Sequence, residues 1–265
     1  MSRPDWITSE IDLNQPSVAR IYDYNLGGSH NFAVDRELAD KINAAIPDLP
    51  AVNRANRSLL RRVVRFLTDE GIRQFLDLGS GIPTVGNVHE IAQQAAPGSK
   101  VAYVDVDPIA VAHSNTILAE NPDALAVQAD IRDIEYLLTH PQVRELIDFD
   151  RPVGVLVLAM MHFVPGDDAF RVVAAVRETI LPGSYLALSH ATSEGDDRGH
   201  VETVSRPGIG VTLRRSAELS RMLRAFELVE PGLVYAPQWR PDSPTDPFTD
   251  HPERSATLIG VAKKR

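Results

Sequence analysis

A chain of 265 residues with 43% hydrophobic and 24% charged side chains can build one sizeable α/β core, which excludes a fibrous or wholly disordered protein. The formal net charge of −9 argues against a phosphate-neutralising nucleic-acid surface, and the lack of cysteine excludes disulfides, thiol nucleophiles and thiolate metal sites. Residues 1–6 lack the apolar run of a secretory signal, and the longest apolar stretch, 153–164, is shorter than the roughly 18–20 residues of a membrane span, so a cytoplasmic protein is expected.

Residues 1–56 are polar, glycine-containing and weakly periodic, which predicts a cap over the sheet edge, with the main domain at 57–265. Over 57–67, Leu59, Leu60, Val63, Val64 and Leu67 fall on one helical stripe. Arg54, Arg57, Arg61, Arg62 and Arg65 recur at helical spacing and predict a solvated basic face. Gly71 suits the end of that helix, and a first strand begins near Gln74. A helix with Val88, Ile91, Ala92 and Ala95 inward stops at Pro97-Gly98, before a second strand at 100–104. Asp107-Pro108 supplies the N-cap and first-turn proline of a helix reaching Leu118.

A third strand at 124–128 leads to Ala129-Asp130, and two helical pieces then meet at Pro141. The segment 153–158 is apolar throughout, as a strand covered on both faces should be. A helix with Phe170, Val173, Ala174 and Ile180 inward precedes the turn Leu181-Pro182-Gly183 and a strand at 184–189. The alternation of strand and helix implies a parallel sheet with right-handed crossovers. The ending differs: a helix at 217–226 is followed by strands at 227–234 and 256–262, which form a hairpin with a long proline-rich connection.

The chemistry gathers at the strand ends. Phe75-Leu76-Asp77-Leu78-Gly79-Ser80-Gly81 closes the first strand on an acid and two glycines, where backbone can approach a ligand that a Cβ would block. Thr84 stands where a dinucleotide fold has its third glycine, and no lysine follows as in a P-loop. Asp77 would repel a pyrophosphate and attract a ligand bearing ammonium and sulfonium centres. Asp105, followed by Val106, can accept hydrogen bonds from both ribose hydroxyls; Asp130 can meet an adenine amino group with Ile131 against the ring. Loop and helix capping is the competing role for these acids, and wins for Asp107; Asp133 could share the role of Asp130.

Asp-Leu-Gly-Ser-Gly, the acid at 105, Ala129-Asp130 and Leu181-Pro182-Gly183-Ser184-Tyr185-Leu186 together resemble the class I S-adenosylmethionine-dependent methyltransferases. The resemblance implies a Rossmann-like α/β fold: a seven-stranded sheet of order 3-2-1-4-5-7-6, the seventh strand antiparallel, with helices on both faces. It also implies S-adenosyl-L-methionine as cofactor, converted to S-adenosyl-L-homocysteine. Upstream, residues 16–24 (PSVARIYDY) and 27–36 (GGSHNFAVDR), with Asn53-Arg54-Ala55-Asn56-Arg57 and Trp239-Arg240-Pro241, are similar to the bacterial family called S-adenosyl methyltransferase, long carried as a domain of unknown function. The usual Leu-Leu-Gly-Gly reads Asn25-Leu26-Gly27-Gly28 here.

Tyr22, Gly28 and Asn31 are candidates to line the cofactor pocket from above, against a structural turn with Tyr22 and Phe32 as core anchors. Arg54 could match the cofactor carboxylate bidentately, or simply be exposed. His162, in Met160-Met161-His162-Phe163 after the fourth strand, is the first candidate base and His190, after the fifth, the second; either could instead hydrogen-bond backbone. The acidic stretch His190, Glu194, Asp196, Asp197, His200 and Glu202 lacks zinc-site spacing, so no metal is expected. The absence of Asn/Asp-Pro-Pro-Tyr after the fourth strand, with the acidic charge, favours a small-molecule acceptor over nucleic acid. A cofactor-binding sensor without turnover is the alternative, and a nicotinamide oxidoreductase is disfavoured by Asp77 and Thr84. The oligomeric state, a homodimer included, is left open.

Overall fold

In the computed structural model of the chain, residues 15–83, 86–194 and 210–265 are described. Three helices precede the first strand: α1 (Val18–Asn25), α2 (Ala33–Ala45) and α3 (Leu49–Asp69). The stripe Leu59, Leu60, Val63, Val64 and Leu67 is buried, and Gly71, at φ +89°, ends the element in the left-handed region. α3 runs without a break through the expected 56/57 boundary, so cap and sheet domain share one helix.

The basic face of α3 is not uniformly solvated. Arg62 is buried: its Nε and Nη2 donate to the carbonyls of Trp239 and Ala236, and its Nη1 pairs with Asp246 at 2.8 Å. Arg61 pairs with Asp242 at 2.8 Å. This side of the helix holds the proline-rich C-terminal connection through Arg61 and buried Arg62, while Arg54 and Arg65 remain exposed. Trp239, wholly buried, packs edge-on to Phe66.

The strands are β1 (Gln74–Leu78), β2 (Lys100–Asp105), β3 (Ala124–Gln128), β4 (Gly154–Val157), β5 (Tyr185–Ala191), β6 (Glu227–Leu228), β7 (Val234–Tyr235) and β8 (Thr257–Lys263). Their order is β3-β2-β1-β4-β5-β8-β6, with β7 also on β8. The five central strands are parallel and β8 is antiparallel to β5. The single strand expected over 227–234 is split into β6 and β7. The Val229 amide still donates to the Val261 carbonyl at 2.8 Å, but Pro231 has no N–H to donate and Gly232 turns at φ +89°, so pairing with β8 lapses from there to Val234.

Helices α4 (Val88–Ala95) and α5 (Pro108–Ile117) share one face of the sheet with α3. The other face is covered by α6 (Ile134–Thr139), α7 (Pro141–Leu146), α8 (Asp168–Thr179) and α9 (Ser216–Leu223). Alternate residues of β1 serve the two cores: Phe75 enters one, Leu76 and Leu78 the other. Ala95 and Ala174, expected inward, are exposed, whereas Val88, Ile91, Ala92, Val173 and Ile180 are buried as expected, joined by Ala96, Val172 and Val176.

Candidate active site

At the carboxyl ends of β1–β3 lies a cavity of about 610 Å³. The glycine turn forms one wall. Gly79 (φ +74°) and Gly81 (φ +67°) are in the left-handed region, and a Cβ on Gly79 would fall 2.7 Å from Met160 side-chain carbons. The Gly79 and Ser80 amides both donate to the Val104 carbonyl, at 2.8 and 3.1 Å, tying the turn to β2.

Asp77 and Asp105 both line this cavity. The Gly81 amide donates to Asp105 Oδ2 at 2.7 Å and the Asp107 amide to Oδ1 at 2.8 Å. These two bonds orient the carboxylate, and each oxygen keeps a second lone pair for a ligand. Burial nonetheless raises the Asp105 pKa above the ordinary carboxyl range. Burial, with Asp105 adding repulsion and Arg57 offsetting it, pushes Asp77 up to about 7. Ser80, Val106, Asp130 and Ile131 also line the wall, and Val106 is 60% exposed, an apolar side chain open to a ligand ring.

Asp130 is less open than its position in the sequence suggests. The Arg132 amide donates to Asp130 Oδ1 at 2.8 Å and the Arg132 guanidinium pairs with the same carboxylate, which lowers its pKa. Asp107 caps α5 by accepting from the Ile109 amide at 2.8 Å, and also bonds Ser17 Oγ. Through Ser17 the cap is tied to the cavity's β2 side. Buried Arg20 strengthens the attachment: its Nη1 lies 3.9 Å from Asp107, while its Nε pairs with Asp35 of α2 at 2.8 Å and so joins the two cap helices.

Of the cap candidates, Tyr22 lines the cavity, with its hydroxyl donating to the Asn53 carbonyl and accepting from Asn56 Nδ2. Gly28, Asn31 and Arg54 are not in its wall. Gly28 and Asn31 serve the buried Asp23 instead. A Cβ on Gly28 would collide with the Asp23 carboxylate, and Asn31 Nδ2 donates to Asp23 Oδ2 at 2.9 Å. Arg54 is exposed, and Arg57, one turn on, carries the guanidinium into the cavity wall. The sequence placed five arginines along this helix without telling which one faced the sheet ends.

A second cavity of about 280 Å³ adjoins the first between the cap helices, the turn after β4 and the residues around 211–213 and 252–257. The two share Pro16, Val18, Tyr22, Asn56, Ala159 and Phe163 as wall. Ala159 holds a left-handed φ of +54°, and its amide donates to Ser189 Oγ at 2.7 Å, which re-aims the chain after β4. Met160 lines the larger cavity, whereas Met161 is wholly buried core.

His162 lines the smaller cavity, and burial, with His190 and Arg214 nearby, lowers its pKa to about 3. A ring so reluctant to hold a proton is a weak general base, contrary to the first expectation. His190 is excluded by geometry: it is wholly buried, its Nδ1 donates to the Ala191 carbonyl at 2.7 Å, and its Nε2 accepts from Arg214 at 2.8 Å. Arg214 is itself buried and also bonds the carbonyls of Val164 and Gly166, so the pair braces the turn after β4. Among the described residues no cluster of three or more His, Asp or Glu could hold a metal; Thr84, Asp196, Asp197, His200 and Glu202 lie outside them. No helix among the described residues is long and apolar enough to cross a membrane.

The sheet order, the glycine turn and the acids at two successive strand ends are those of a class I S-adenosylmethionine-dependent methyltransferase. Magnesium protoporphyrin IX methyltransferase from Synechocystis PCC 6803, solved with bound S-adenosylhomocysteine, has the same fold: TM-score 0.56 at 14% identity, over 92% of this chain and 93% of that one. The profile of the S-adenosyl methyltransferase family matches residues 4–265, and the chain belongs to that family. A crystal structure from Thermobifida fusca YX, provisionally described as a methyltransferase, is 42% identical with a TM-score of 0.91, covering 99% of this chain and 100% of that one. A DUF574 family protein from Streptomyces avermitilis MA-4680 is 40% identical with a TM-score of 0.90, covering 96% and 99%. The search of curated proteins returned no match. The protein is therefore an S-adenosylmethionine-dependent methyltransferase.

The larger cavity suits that cofactor. It offers two buried carboxylates to a cationic ligand, a glycine turn for close backbone approach, and an exposed apolar side chain beside Ile131.

Proposed function

We propose that the protein methylates a small molecule held in the cavity beside the cofactor cavity. The observation that carries this reading is the common wall: Tyr22, Asn56, Ala159 and Phe163 border both spaces, so two ligands can meet there. Bound in the larger cavity, S-adenosylmethionine supplies a methyl group activated on a cationic sulfur. Asp105 holds the ribose hydroxyls, and Asp77 faces the positive charge. Val106 and Ile131 flank the adenine, and the Asp130–Arg132 pair lies at its edge. Arg57 takes the carboxylate role first considered for Arg54.

What the chain contributes to an in-line displacement is alignment and exclusion of water. The cap comprises α1, α2 and the first turns of α3, and supplies Tyr22 and Asn56 to the common wall. His162 is neutral and orients the acceptor rather than deprotonating it. The net charge of −9 makes a nucleic-acid acceptor unfavourable.

Calorimetry tests the reading. S-adenosylhomocysteine is expected to bind and NAD not to. Asp105→Ala is expected to weaken S-adenosylhomocysteine several-fold or more, since the lost hydrogen bonds are worth about 1–3 kcal/mol. Binding of NAD in place of S-adenosylhomocysteine would overturn it.

A further inference from the structure

The smaller cavity has a chemistry of its own. Its wall is dominated by aliphatic side chains of the cap, among them Leu38, Ile42, Ile46 and Val52, with the Phe163 ring at the common boundary. The charged side chains in this wall are already engaged within the protein. Asp48 pairs with Arg254 at 2.8 Å, and Glu194 accepts from the Ser216 amide and hydroxyl, each at 2.8 Å. Glu253 lies 3.4 Å from His251. An anionic acceptor would thus be desolvated among aliphatic groups and carboxylates without a dedicated cation.

Two polar atoms of the wall residues break the pattern. Asn25 Nδ2 and His162 Nδ1 are buried and lack a hydrogen-bond partner among the described residues. A native fold seldom leaves such atoms unpaired, and a ligand that supplies partners recovers the cost. His162 sits in the turn between Ala159 and Phe163, both of which border the cofactor cavity as well. His162 therefore places a polar ring where the apolar space meets the cofactor cavity, while Asn25 lines the smaller cavity alone; both unpaired atoms are covered as the side chains stand, and a ligand reaches them with a turn of the side chain.

We propose, resting on the small-molecule reading above, that the acceptor is an uncharged, largely apolar molecule whose hydroxyl or N–H is bonded by His162 and is the group methylated. The bond from acceptor oxygen or nitrogen to the methyl carbon forms as the carbon–sulfur bond breaks. The bonding pair leaves with sulfur as a neutral thioether, and the acceptor's proton passes to solvent.

The test uses the full chain saturated with S-adenosylhomocysteine, and three bicyclic probes of one shape: 2-naphthol, naphthalene and 2-naphthoate. Fluorescence titration is expected to rank 2-naphthol first, several-fold above naphthalene and at least tenfold above the anionic 2-naphthoate. His162→Phe should bring 2-naphthol down to the naphthalene value, and His162→Gln should restore part of the difference. Leu38→Glu, which charges the wall of the smaller cavity alone, should weaken both neutral probes tenfold or more. In each variant an unchanged S-adenosylhomocysteine affinity reports an intact fold. A preference for 2-naphthoate, or a 2-naphthol preference that survives His162→Phe, would overturn the proposal. If the wild type fails to bind S-adenosylhomocysteine, the methyl-transfer reading falls and this inference with it; cofactor binding without 2-naphthol binding removes this inference alone.

Discussion

Asp77 shows how a single buried carboxyl links stability to binding. With its pKa at about 7 in the ligand-free protein, it is increasingly protonated as pH falls through neutrality. A protonated Asp77 cannot attract a cation, so S-adenosylmethionine affinity is expected to drop between pH 8 and pH 6, as calorimetry across that range would show. The sign for stability is opposite. A carboxyl whose folded pKa, here about 7, exceeds its unfolded value of 3.8 makes the fold less stable as pH rises from 3.8 to about 7, and the loss is complete above that. Asp77→Asn should therefore raise the Tm of the ligand-free protein at pH 8 by a few degrees while weakening the cofactor, measured by thermal unfolding with and without ligand. The two acids and the glycine turn were legible in the sequence because strand ends carry a recognisable order of residue types. That the Asp77 pKa is pushed up to about 7 was not, because the shift comes from burial among neighbours distant along the chain.

Elements are held to the sheet by a few buried polar anchors rather than by apolar contact alone. Arg62 joins α3 to the C-terminal connection through two carbonyls and Asp246. Arg62→Met strands those acceptors, with an expected loss of about 3 kcal/mol in urea unfolding, partly recovered in the double variant with Asp246→Asn. In the cap, the turn after α1 is built around Asp23, which accepts from the His30 amide and from Asn31. Gly28→Ala drives a Cβ into that carboxylate and is expected to lower the Tm by several degrees with little change in S-adenosylhomocysteine affinity. Local periodicity predicted the stripe on α3 correctly, but it could not distinguish a solvated arginine from one sealed under a loop 174–184 residues away. The same limit explains Arg54 against Arg57: both lie on one helix, and the neighbouring loops decide which reaches the cavity.

The whole molecule is a sheet whose strand ends form one cavity and whose N-terminal helices help enclose a second. Ligand linkage gives a global check: S-adenosylhomocysteine at about 100 times its Kd should add roughly 2.7 kcal/mol, or about 5–10 °C of Tm, and NAD nothing. The amino-acid sequence by itself determined the alternation of strands and helices and the acids at the ends of β1 and β2, whereas the antiparallel last strand was implied by the family resemblance. The alternation and the acids follow from local apolar periodicity and from short motifs read within one βαβ unit. Tertiary structure decided which arginine faces the cofactor cavity, that His190 is sealed against Arg214, and that the cap helices frame an apolar space beside Phe163. Each of these depends on contacts between residues far apart in the chain, where burial and pairing are properties of the assembled core and not of any local spacing.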